Sequence, residues 1–61
     1  MGKFIRIFKV RAINKNGIYH ELSISSKQID HAVKKGRIQL KRIDNSNRIV
    51  SVVQIARVNL R

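Results

Sequence analysis

Sixty-one residues with fourteen lysines and arginines, three acidic residues and no cysteine exclude disulfides, thiolate metal clusters and cysteine nucleophiles, and they bound the chain to one small domain, residues 1–61. The formal net charge of +11 costs self-repulsion in any compact state and points to a polyanionic partner, nucleic acid before an acidic membrane surface, an acidic protein or an anionic nucleotide. No stretch approaches the roughly 20 apolar residues of a membrane span, and residues 1–10 lack the apolar run of a secretory signal, so the expected location is the cytoplasm.

A chain of this size buries only about 60% of its unfolded surface. With neither disulfide nor structural metal available, self-association is the expected reinforcement.

From Lys3 to Asn14 the residues alternate. Phe4, Phe8, Val10 and Ala12 share one face, and Lys3, Ile5, Ile7, Lys9, Arg11 and Ile13 the other, a period of two that predicts a strand. Arg6 interrupts the apolar face and suggests a bulge or an edge position. Asn14-Lys15-Asn16-Gly17 predicts a tight hairpin turn with the positive φ angles that Asn-Gly supplies. The return strand runs from Ile18 to Ser25, with Ile18, His20, Leu22 and Ile24 inward and Tyr19, Glu21, Ser23 and Ser25 outward.

One helix is predicted, opened by a Ser25/Gln28 capping box. Its apolar stripe is Ile29, Ala32, Val33 and Gly36, and Gly36 after Lys34-Lys35 reads as its C-terminal stop. A helix of about ten residues is unstable alone and must lie on a sheet. Alternation then returns from Arg37 to Ile43, predicting a third strand with Ile38 and Leu40 inward. Asp44-Asn45-Ser46-Asn47 is a polar turn. The last strand, Arg48 to Leu60, has Ile49, Val53 and Ile55 on one side and Val50, Val52, Ala56, Val58 and Leu60 on the other. Apolar residues on both faces place it centrally or against a second subunit. The expected fold is α+β of order β-β-α-β-β, an antiparallel sheet with one short helix, curled or barrel-like if no partner covers its other face.

Two cationic surfaces follow. Lys27, His31 and Lys34 line up on the helix face opposite the apolar stripe, with Lys35 and Arg37 beside them, a spacing suited to tracking phosphates. On the sheet, Lys3, Lys9 and Arg11 stand outward from the first strand, Lys41 and Arg42 lie on the third, and Arg57 and Arg61 alternate on the last. Ile5 and Ile7 among these cations suit a dimer interface better than a phosphate surface. With Phe4 and Phe8 assigned to the core, only Tyr19 is left as an exposed ring, a thin platform for stacking single-stranded bases.

Catalysis is not expected. The acidic residues are scattered, Gly2, Gly17 and Gly36 form no phosphate loop, and His20 and Glu21 as strand neighbours point to opposite faces. The residues therefore predict a small basic nucleic-acid-binding protein, a homodimer with no cofactor and no metal, with DNA favoured over RNA. The competing reading is an interaction or inhibitor module for an acidic protein surface or a small anionic nucleotide. A metal-independent ribonuclease built on His20 ranks third.

Overall fold

The computed structural model describes residues 3–60. Alternating patterns give three antiparallel strands, β1 (Lys3–Ile13), β2 (Tyr19–Ser26) and β3 (Arg48–Leu60), and a helix, α1 (Ile29–Ile43), joins the last two. The architecture is α+β, with an open sheet of order β2-β1-β3. β1 is thus central, and β2 and β3 are the edges.

The hairpin between β1 and β2 closes through Gly17, whose N–H donates to the Asn14 carbonyl at 3.0 Å. Among the described residues Gly17 alone has positive φ, at 78°, so the turn places one residue in the left-handed region, where a side chain would be strained. The Asn14 side chain completes it, its Oδ1 accepting the N–H groups of Asn16 at 2.9 Å and Ile18 at 3.0 Å. Ile18 therefore belongs to the turn. It is 55% exposed, not inward as its alternation predicts.

The helix packs on one face of the sheet, and the core forms between them from Phe8, Val10, Ala12, Ile24, Ala32 and Leu40, with Leu22, Ile49 and Val52 packed at its margin. Burial of a large apolar side chain contributes about 1.5–3 kcal/mol. His20, opposite Ala12 in the β1/β2 register, is half-buried on this covered face, while Glu21 pairs with Arg11 on the open face.

Three expectations for the helix segment are corrected. The helix does not stop at Gly36 but continues to Ile43, so Arg37–Ile43 is its second half and not a strand. The buried residues Ala32, Gly36 and Leu40 recur every fourth position, and a Cβ on Gly36 would stand 3.0–3.3 Å from the Val10 side chain. Gly36 is a point of close helix–sheet approach. Leu40 is buried as expected, but Ile38 falls on the outer face and is 56% exposed. Nor does Ser25 cap the helix. Gln28 is the N-cap, without a side-chain cap bond, and Ser26 Oγ accepts the Gln28 N–H at 3.3 Å.

The irregularity expected at Arg6 lies in the opposite strand. The β1/β3 register shifts between Ile7 and Phe8 and between Arg11 and Ala12, leaving Ile55 and Val50 of β3 as the extra residues of two bulges. Each bulge reverses the parity of β3, so Ile49, Val52, Gln54 and Arg57 lie opposite the covered-face residues Ala12, Val10, Phe8 and Arg6. Val53, Ala56, Val58 and Leu60 lie opposite Lys9, Ile7, Ile5 and Lys3 on the open face. β3 is therefore neither central nor covered twice.

Thirteen strand residues reach about 43 Å, which sets the long dimension of a molecule measuring 46 × 16 × 14 Å. β2 ends opposite Arg6, and beyond that point β1 pairs only with β3. The result is a two-stranded arm extending past the helix.

Candidate nucleic-acid interface

Helical geometry sorts the side chains of α1. With Ala32, Gly36 and Leu40 turned to the sheet, a 100° step sets Lys34, Ile38 and Lys41 on the opposite ridge. His31, Lys35 and Arg42 flank that ridge on one side and Arg37 on the other. All seven are exposed, as is Lys27 just before the helix. Extension of the helix thus brings Lys41 and Arg42, expected on a strand, onto the same surface as Lys34 and Lys35. Five lysines and arginines share this helix with one acidic residue, Asp30. The ion pairs among the described residues belong to Glu21 and involve none of these cations. Lys41 donates to the Asn45 carbonyl at 3.0 Å, which leaves two ammonium hydrogens for another acceptor.

The open sheet face is different in kind. Arg11 donates to Glu21 Oε1 through Nε at 2.9 Å and Nη2 at 2.5 Å, and Lys9 Nζ lies 3.7 Å from Glu21 Oε2. The Arg11 hydrogen bonds, reinforced by the charges of Arg11 and Lys9, hold the Glu21 carboxyl below the usual carboxylate range. Arg11 also lies over the Tyr19 ring, 5.6 Å from its centroid. Lys9 and Arg11 thus share one anionic partner, and they stand on the side of the molecule opposite α1, as does Lys3 at the far end of β1.

The third group was only partly legible. Arg57 does not join Lys9 and Arg11 but pairs with Arg6 on the covered side of the arm. Their guanidinium carbons lie 5.0 and 5.1 Å from the centroid of the same Phe4 ring. Phe4, expected in the core with Phe8, is half-buried there because the helix begins only at Ile29. Arg6 Nη1 donates to the Lys27 carbonyl at 3.3 Å, which ties the arm to the helix entrance. Like charges directly opposite in a sheet are unfavourable, and the ring offers partial compensation through its negative face. Arg6 was missed as a functional candidate because its interruption of an apolar face read as a structural irregularity. Arg61, expected to alternate with Arg57, lies outside the described residues.

The ten residues singled out from the sequence therefore separate into three groups. His31, Lys34, Lys35, Arg37, Lys41 and Arg42 share α1, with Lys27 at its entrance. Lys9 and Arg11 are bound to Glu21, and Arg57 is on the arm. Among the described residues no helix is long and apolar enough to cross a membrane. Comparison with protein-family models, with curated proteins and with solved structures returns no match.

Proposed function

We propose that the protein binds nucleic acid through the outer face of α1, gripping the phosphate backbone with lysine and arginine, and acts as a homodimer. The observation that carries this reading is the contrast between the two cationic faces. Lys9 and Arg11 share the Glu21 carboxylate, whereas Lys34, Lys35, Arg37 and Arg42 make no ion pair or hydrogen bond to another described side chain. An exposed helix fits the major groove of B-form DNA and not the deep, narrow groove of A-form RNA, which favours duplex DNA. Phosphate contacts of this kind supply affinity with little sequence readout.

The homodimer reading draws on β3. Residues 49–56 of this edge strand carry no charge, while Val50, Val53 and Ile55 are exposed. A long apolar edge is a template for pairing with another strand, and the same segment of a second copy matches eight uncharged residues on each side, with Arg48 and Arg57 at the ends.

The test is a titration of the full chain onto a duplex of arbitrary sequence across a salt series. Three to four phosphate contacts give a slope of log K against log salt near −3 to −4. Absence of binding at about 50 mM salt, where backbone contacts are strong, would overturn the reading.

A further inference from the structure

A pocket of about 460 Å³ opens between the C-terminal half of α1 and the start of β3, lined by Arg37, Lys41, Ser46, Asn47, Arg48 and Ile49. Its polar groups are set by local structure. Asn47 is 2% exposed, and its Nδ2 donates to the Leu40 carbonyl at 2.8 Å. That bond fixes the amide orientation and leaves Asn47 Oδ1 buried with no partner. A buried acceptor without a donor is costly. The nearest acid in sequence, Asp44, is not in the lining. Its carboxylate accepts from the Ser46 N–H at 2.8 Å, Ser46 Oγ at 2.7 Å and Asn14 Nδ2 at 3.2 Å.

We infer that this pocket binds a nucleotide unit, with the phosphate held by Arg37, Lys41 and Arg48 and a sugar hydroxyl or base amino group donating to Asn47 Oδ1. Three cations without a carboxylate select an anion, and arginine adds the forked geometry that matches phosphate. The unpartnered oxygen selects a donor next to that anion. The Ile49 side chain supplies an apolar wall, and the volume is in the range of small-ligand sites, above what a bare phosphate fills. A free nucleotide and a nucleotide within a single strand or strand end present the same chemistry. The inference rests on the helix-face reading only through Arg37 and Lys41, which serve both surfaces. Arg48 belongs to β3, and its substitution separates them.

The experiment records the Asn47 side-chain amide signal of the ¹⁵N-labelled full chain by NMR during titration with AMP, adenosine, inorganic phosphate and a 5′-phosphorylated trinucleotide. A shift with AMP at lower concentration than with phosphate or adenosine, weakened about tenfold in Arg48→Gln, supports a free nucleotide. The same response to the trinucleotide but not to AMP supports a nucleotide within a strand. Equal response to phosphate and AMP overturns the inference in favour of a plain anion site, and no response, or none lost in Arg48→Gln, overturns it outright. Arg48 is exposed, so the variant should fold, and Arg48→Lys should recover part of the affinity. A chain that binds duplex but leaves Asn47 unmoved overturns the pocket and spares the helix face; one that takes AMP and ignores duplex does the reverse.

Discussion

At the scale of single residues, Gly36 decides how close the helix comes to the sheet. Alanine at a helix interior is better than glycine by about 1 kcal/mol, which by itself favours Gly36→Ala. The added methyl, however, meets Val10 Cγ1, Cγ2 and Cβ at 3.0, 3.2 and 3.3 Å. Val10 is branched, fully buried and on the central strand, so it has little room to give. Overpacking of this kind costs about 1–3 kcal/mol, and it should outweigh the propensity gain. Gly36→Ala is expected to lower Tm by several degrees, about 4–8 °C per kcal/mol at this size. The double variant with Val10→Ala should lose less than the sum of the two. A rise in Tm for Gly36→Ala alone would show that the helix is free to move away. Gly36 also marks a limit of the sequence. After two lysines, glycine has the signature of a helix stop, and only the position of Val10 across the interface reveals its packing role.

At the scale of elements, the strands were legible because alternation of β-branched and charged residues has few other readings, and β1 keeps Phe8, Val10 and Ala12 buried as its pattern requires. The segment 37–43 was not legible. Ile38 and Leu40 alternate over too few residues to distinguish a strand from a helix, and the decisive four-residue spacing from Ala32 through Gly36 to Leu40 includes a residue with no side chain. The bulges in β3 left no sequence signal either, which is why the faces of β3 and the location of Arg57 were misassigned. The candidate site was legible as a set of cations, but their grouping depended on these two unreadable features.

The turn that ends α1 has its own consequence. An aspartate at a helix C-terminus faces the negative end of the dipole, and Asp44 is the C-cap of α1. Hydrogen bonds from the Ser46 hydroxyl and N–H, then from Asn14, together with the Lys15 charge, hold its carboxyl below the usual range. Asp44 and Glu21 are both depressed, so each binds protons more readily in the unfolded chain. Their stabilisation is present above the unfolded carboxylate values of about 4 and is lost as pH falls through the lower folded values. Thermal melts should show Tm declining below about pH 4. Asp44→Asn should start lower at neutral pH and decline less steeply, and a parallel decline in both proteins would remove Asp44 from the account.

For the whole molecule, the helix covers one face of the sheet and the other stays open, with Ile5 and Ile7 half-buried and Val53, Val58 and Leu60 exposed beside β3's free edge. Pairing of two β3 edges would extend the sheet and leave both basic helices outward. Sedimentation at micromolar concentration should therefore give about twice the 7.1 kDa chain mass, and Val53→Lys should shift it toward that of one chain. A wild-type mass of one chain would mean that the edge is unpaired in solution.

The central claim is that the basic face of α1, and not the sheet, meets the phosphate backbone. The most direct measurement compares the salt dependence of duplex binding in the wild type, in the triple variant Lys27→Gln, Lys34→Gln, Lys35→Gln, and in Lys9→Gln. All four positions are exposed, and surface changes usually cost under about 0.5 kcal/mol each, so the fold should persist in every variant. The triple variant should bind much more weakly, its slope of log K against log salt smaller by about two to three units, while Lys9→Gln should match the wild type. An unchanged slope in the triple variant, with the loss appearing in Lys9→Gln instead, would contradict the account and move the contact to the open face of the sheet.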